Sequence, residues 1–133
     1  MTRTVINADG AASVGPYSHA VEAGDLLFLS GQTPLHPATG ALIDGDIGAQ
    51  TAQCLDNLFA VLHRAGLTSD DVVSVQVFLT DMRDFAAMND AYARRFEAPF
   101  PARTTIGVAS LPKGASVEIS LVARRGSMNP RVR

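Results

Sequence analysis

Chemistry in this chain of 133 residues has few places to start: three histidines, one cysteine, and polar side chains that fall on predicted strands. His19, His36 and His63 are scattered and form no H-x-x-x-H or H-E-x-x-H pair, so they read as surface or turn residues rather than metal ligands. Cys54 stands alone, which rules out an intrachain disulfide and a cysteine-based cluster; it falls off the main apolar stripe of its helix and reads as an unreactive thiol. The glycines fit neither G-x-G-x-x-G nor G-x-x-x-x-G-K-[ST], so no phosphate-cradling loop is supported. Leu29-Ser30-Gly31-Gln32 lacks the first glycine of a nucleophile elbow and is followed by Pro34, which argues against serine hydrolysis.

What is left is a collection of short polar segments, among them those that carry Arg103, Glu118, Tyr17 and Ser30. By residue type alone, Arg103 and Glu118 make a structural cross-strand ion pair more often than a catalytic couple. Tyr17, after a Gly-Pro turn, is ordinarily a packing aromatic, and Ser30 a strand-end hydroxyl bonded to backbone. Asn89 and Asp81 read as helix-terminus residues.

The elements that must position these side chains follow from hydrophobic period. Leu55, Leu58, Phe59, Leu62 and Ala65 form one stripe of a helix over about Ile47 to Ala65, with Asp46 where an N-cap is wanted and Gly66 where a left-handed C-cap ends it. A second helix, about Asp84 to Phe96, aligns Phe85, Met88, Tyr92 and Phe96 before Pro99 and Pro101 forbid continuation. Strands are expected at Tyr17 to Val21 and Leu26 to Ser30, joined by a turn at Ala23-Gly24, and at Val72 to Thr80, Arg103 to Val108 and Ser116 to Arg124. The order is β-β-β-α-β-α-β-β, an α+β pattern. Within Val72 to Thr80, Val73, Val75, Val77 and Leu79 share one face.

Both amphipathic helices need an apolar partner, so they should cover one face of the sheet and leave the other half-exposed. In the last strand Val117, Ile119 and Leu121 oppose Glu118 and Ser120; in the one before it Ile106 and Val108 oppose Arg103 and Thr105. With the apolar sets placed under the helices, Arg103 and Glu118 are expected to project together from the helix-free face. Oligomerisation would cover that face and enclose both charges.

Composition narrows the function classes. A length of 133 residues predicts a single domain, and 47% hydrophobic residues give it enough apolar mass for a core. With 11 basic against 13 acidic residues and no tryptophan, neither a nucleic-acid stripe nor a polybasic membrane anchor is indicated. The first residues lack an apolar signal region and no stretch reaches the ~18 apolar residues of a membrane span, so a cytoplasmic protein is the simplest expectation.

A series of short segments carries a more specific signal: Gly15-Pro16-Tyr17-Ser18, Leu29-Ser30-Gly31-Gln32-Thr33-Pro34, Cys54-Leu55-Asp56-Asn57-Leu58, Phe78-Leu79-Thr80-Asp81-Met82, Pro101-Ala102-Arg103-Thr104-Thr105, Leu111-Pro112-Lys113-Gly114 and Val117-Glu118-Ile119. In this order and spacing they resemble the RidA/YjgF reactive-intermediate deaminases over about residues 3 to 125, leaving 126–133 as an expected tail. The resemblance implies a chorismate-mutase-like subunit, a mixed six-stranded sheet with two helices on one face, assembled as a homotrimer with active sites between subunits. It implies that Arg103 binds a substrate carboxylate, that Glu118 handles the attacking water, and that Tyr17 and Ser30 line the same pocket. It also implies hydrolysis of enamine or imine acids such as 2-aminoacrylate and 2-iminopropionate, with no metal and no organic cofactor.

These roles are chemically reasonable. A planar guanidinium holds a carboxylate by two parallel hydrogen bonds, and a partly buried carboxyl group can serve as general base and acid. The substrate is already electrophilic, so positioning supplies much of the catalysis. The chain departs from the pattern twice: Thr105 stands where some members have cysteine, and Ser120 where many have a second glutamate. A thiol is therefore not essential here; if the family's residue at that position acts through its backbone carbonyl, Thr105, counted by the resemblance among the substrate-binding residues, serves equally. Two other readings remain: a protein that binds a small carboxylate through Arg103 and signals to a partner, and an endoribonuclease or translation inhibitor, which the net charge of −2 disfavours.

Overall fold

The fold was analysed in a computed structural model that describes residues 3–8 and 15–126. Past Gly126, the expected tail lies outside the described residues. Six strands form one mixed sheet: β1 (Thr4–Ile6), β2 (Ala20–Ala23), β3 (Leu26–Gln32), β4 (Val72–Leu79), β5 (Ala102–Gly107) and β6 (Val117–Arg124), in the order β1-β2-β3-β6-β4-β5. Helices α1 (Ile47–Arg64) and α2 (Phe85–Ala93) pack on one face, the architecture expected from the sequence. All neighbouring strands are antiparallel except β4 and β5, which α2 joins as a parallel crossover.

Helix α1 begins and ends where local chemistry says it should. The Asp46 carboxylate accepts from the Ala49 amide at 2.9 Å, and Gly66 follows the helix at φ +80°, a conformation that glycine enters without a Cβ penalty. Leu55, Leu58, Val61 and Leu62 are fully buried against Val75, Val77, Leu79, Val117, Ile119 and Leu121 of the sheet. Cys54 belongs to this core rather than lying off its stripe, and burial pushes its thiol pKa well up, so it stays protonated.

Four expected details differ. The strand predicted at Tyr17 begins at Ala20, because the His19 amide is bound by the Asn7 side chain and the Tyr17 amide by Gly15, which hold Tyr17 outside the ladder. The β2–β3 turn is Gly24-Asp25, one residue later than expected, with Gly24 at φ +62°. Helix α2 stops at Ala93 instead of Phe96, and a tight turn from the Arg95 amide to the Tyr92 carbonyl brings Phe96 back into the core. Register shifts between Val72 and Ser74, so Val72 is buried and Val73 exposed, the reverse of strict alternation.

Among the described residues, no helix is long and apolar enough to cross a membrane.

Candidate functional site

The pairing register decides where the candidate side chains point. Arg103 lies directly opposite Val75 and Thr105 opposite Val77, and both valines are fully buried beneath the helices. Glu118 lies opposite Phe78, on the alternate set of β4 residues. Residues in register share a face, so Arg103 is on the helix side and Glu118 on the open side, contrary to the expectation that they project together. The expected ion pair is absent as well: among the described residues no carboxylate is within salt-bridge distance of Arg103. Their strands are separated by β4, and their partners on it are three residues apart. That puts the two backbones roughly 14 Å apart, at about 3.3 Å per residue and 4.8 Å per strand.

The reason for Arg103's placement lies in α2. Its guanidinium carbon sits 4.8 Å from the Tyr92 ring centroid and 5.8 Å from that of Phe85, and Nη1 is 4.0 Å from the Met88 sulfur. The aliphatic stem can lie on this apolar surface while the charge meets aromatic faces. Ile106 takes the other face of the edge strand and is 46% exposed. With Phe28, 47% exposed, and half-buried Phe78, it puts three large apolar side chains on the open face, beside the hydrogen-bonded Ser74, Gln76 and Ser120.

Two clefts result. One, of about 340 Å³, is lined by Asn89, Tyr92, Ala93, Phe100, Pro101 and Arg103. Asn89 belongs here in mid-helix, not at a helix terminus, and among the described residues its Oδ1 is buried without a partner, as are the Tyr92 hydroxyl and Thr105 Oγ1. Burial raises the Tyr92 pKa to about 12 against the opposing pull of Arg103, so the phenol is neutral. Thr105 lines neither cleft with its side chain.

The second cleft, about 250 Å³, is lined by Tyr17, Ser30, Gly31, Thr33, Pro112 and Glu118. This brings together three of the residues singled out in the sequence, Tyr17, Ser30 and Glu118. The Ser30 hydroxyl donates to the Ser18 carbonyl at 2.6 Å, which leaves its lone pairs for a ligand. Desolvation raises the Glu118 pKa, the direction that suits a carboxyl group for exchanging protons near neutrality. The rim is tied down from two sides. Lys113 donates to the Gly40 carbonyl at 2.9 Å beside Pro112, and buried Asn57 of α1 donates to the carbonyls of Leu35 at 2.9 Å and Thr33 at 3.4 Å.

His19, read as a surface or turn residue, is buried; its Nδ1 accepts from the Ala8 amide at 3.0 Å, a contact eleven residues away that no local pattern announces. Among the described residues, no group of three or more His, Cys, Asp or Glu is placed to hold a metal ion. The sequence reading missed Gly31, Thr33, Pro112, Asn89, Tyr92 and Phe100 as cleft residues. Tyr92 is visible in the sequence only as part of an apolar stripe and Asn89 only as an expected helix-terminus residue; Gly31, Thr33 and Pro112 carry no signal beyond their place in the quoted segments, and Phe100 carries none.

Known proteins share this fold and much of this sequence. The family described as Endoribonuclease L-PSP matches residues 8–125. A protein of Escherichia coli strain K12 named 2-iminobutanoate/2-iminopropanoate deaminase is 40% identical over 128 residues, covering 94% of this chain and 99% of that one. The crystal structure of RidA from the Antarctic bacterium Psychrobacter sp. PAMC 21119 superimposes with a TM-score of 0.88 at 41% identity, over 92% of this chain and 99% of that one. The structure of E. coli TdcF with bound serine gives a TM-score of 0.87 at 36% identity, over 92% of this chain and 98% of that one.

Proposed function

The chain belongs to the YjgF/RidA family, and on that premise we propose that it hydrolyses 2-enamine and 2-imine acids to 2-keto acids and ammonia. The working unit in this reading is a homotrimer of single-domain subunits, with each active site built from the Arg103 cleft of one copy and the Glu118 cleft of the next. One observation carries it: an arginine without a carboxylate partner and a glutamate with a raised pKa line separate clefts on opposite faces of the sheet. Within one chain neither can serve the other's ligand. The large apolar side chains of the open face, Phe28, Phe78 and Ile106, give a second copy a surface to cover.

In this site Arg103 holds the substrate carboxylate by two parallel hydrogen bonds, which fixes the C=N carbon. The Tyr92 and Phe85 rings hold the guanidinium from behind. The enamine form first takes a proton from solvent at its methylene carbon to become the iminium ion, the protonated form of the imine. Glu118 then accepts a proton from water as the oxygen bonds to the imine carbon, and the electron pair of the C=N bond moves to nitrogen. The protonated carboxyl returns its proton to the amino nitrogen of the carbinolamine; the carbinolamine hydroxyl then gives its proton to the freed Glu118 carboxylate as the C=O bond forms, the C–N bond breaks and ammonia leaves. The Ser30 hydroxyl, with its proton given to Ser18, accepts a hydrogen bond from the water or the leaving nitrogen, while Tyr17 and the Thr105 backbone carbonyl complete the pocket. No step requires a metal or organic cofactor, because the substrate carbon is already electrophilic.

The serine in the TdcF structure, a small α-amino acid with a carboxylate, belongs to the chemical class that this arginine would hold. The test is to generate imines in place with an amino-acid oxidase or dehydratase and follow ammonia and keto acid across a range of side chains. Acceleration by the purified protein supports the proposal. Saturable binding of 2-keto acids with no acceleration of any imine would leave a carboxylate-binding protein instead. Sedimentation velocity tests the assembly: a dominant species near the 14.0 kDa chain mass would remove the shared site.

A further inference from the structure

Strand β3 carries an irregularity where it meets the Glu118 cleft. Leu29 is opposite Leu121 and Gln32 is opposite Ile119, so three steps along β3 match two along β6, and the extra residue falls at Ser30-Gly31. Gly31 does not adopt the left-handed conformation that singles out glycine at other positions of this chain, such as Gly24 and Gly66. Backbone conformation therefore does not explain why the residue is glycine. Space does. A Cβ placed on Gly31 would lie 2.0 Å from Glu118 Oε2, 2.9 Å from Cδ and 3.2 Å from Cγ. The three atoms nearest to it all belong to the Glu118 side chain.

We propose that Gly31 is a positioning residue, whose missing side chain is the slot in which the Glu118 carboxyl group lies against the bulged backbone of β3. This rests on the assignment of Glu118 as the proton-transfer group. The bulge bends β3 toward the cleft and the glycine lets the carboxyl group close against it, so the carboxyl is held by shape rather than by a cation. Packing against the main chain removes water from one side of the carboxyl group, consistent with the desolvation that raises its pKa. A side chain at position 31 would swing the carboxyl group out of the slot, since the far end of a flexible glutamate yields more easily than two paired strands.

The test is Gly31→Ala in the full chain. The melting temperature and oligomeric state should match wild type, while imine hydrolysis falls by about tenfold or more, part of the roughly 10²–10⁴ that a positioned acid or base contributes. The alkaline and acid limbs of the pH–rate profile should move with the carboxyl group. In a Glu118→Asp background, whose carboxyl is one methylene shorter and lacks the oxygen that lies 2.0 Å from the added Cβ, the alanine should cost clearly less activity than in wild type. A Gly31→Ala protein with full activity and an unshifted profile overturns the proposal. So does an equal loss in the Glu118→Asp background, which would mean that residue 31 acts on the substrate directly or on the strand. Carbon NMR of labelled glutamate, following the Glu118 titration in both proteins, keeps this test independent of the reaction. If no imine is hydrolysed but the alanine shifts that titration, the deaminase reading fails and the slot stands; an unshifted titration sinks the slot.

Discussion

Arg103 and Glu118 leave opposite faces of one sheet, with β4 standing between their strands. No rotation of either side chain brings both onto one small molecule, so the proposed reaction depends on a contact between copies. Chains carrying Arg103→Ala and chains carrying Glu118→Ala should each be inactive alone. Refolded together in equal amounts, they should recover about one quarter of the wild-type rate, the share of contacts at which random assortment places an intact arginine against an intact glutamate. Assay of the mixture against each variant checks this; no recovery, with trimers formed, would place both residues' roles within a single chain.

Arg103→Lys keeps the charge and removes the fork of donors that grips a carboxylate. Imine hydrolysis should fall by about tenfold or more, a loss of at least ~1.4 kcal/mol in transition-state stabilisation, with assembly intact. Melting temperature and specific rate measured on the same preparation separate this from a structural role, which would lower the first and spare the second.

Tyr92 offers a sharper division of labour. Its ring lies under the Arg103 guanidinium and 4.8 Å from the Phe96 ring, yet its hydroxyl is buried without a partner. Tyr92→Phe keeps both ring contacts and removes an unsatisfied polar group, so stability should hold or rise and turnover should stay near wild type. Tyr92→Leu loses the aromatic face. It should cost about 1–3 kcal/mol of stability, and raise KM for carboxylate-bearing imines more than for their esters, since the guanidinium is no longer held from behind.

Glu118 predicts an unusual pH dependence of stability. Desolvation raises its pKa in the folded chain above the ordinary 4.5, so between those two values the folded state binds more protons than the unfolded state. Stability contributed by this group is therefore present below 4.5 and lost as pH rises through the folded value. Glu118→Gln removes the titration. The melting temperature of the glutamine variant minus that of wild type should grow as pH rises above 4.5, and its failure to do so would contradict the desolvated carboxyl.

The contrast between α1 and β5 shows what a sequence can disclose. Both ends of α1 were legible because Asp46 and Gly66 act on backbone within one turn of themselves. Alternation likewise identified Val117, Ile119 and Leu121 as core. The same rule failed on β5, where Ile106 was placed under the helices and Arg103 outside. Parity tells which residues of a strand share a face and not which face that is. On an edge strand an arginine stem over aromatic rings competes well with an isoleucine, and only pairing with β4 decides. Tyr17 and Ser30 line a cleft with Glu118 but not with Arg103, whereas Gly31 and Tyr92 matter through contacts that no local pattern encodes.

Asn57 reaches from the middle of α1 to the main chain of Leu35 and Thr33, and Gln53 in turn donates to its Oδ1 at 2.9 Å. Thr33 is a wall of the Glu118 cleft, so one edge of the cleft is fastened to the same helix that seals the core. Asn57→Ala should cost about 1–3 kcal/mol by leaving buried carbonyls unpaired, and the loss should appear in cleft geometry as well as in the melting curve. Amide exchange at Leu35 and Ile43 reports on it: in wild type their protection should approach that of α1 itself, and in the variant fall away from it. The cleft edge, in other words, has no private flexibility; to breathe it must borrow from the global unfolding equilibrium, so ligands have to fit a mouth whose shape is already set when they arrive.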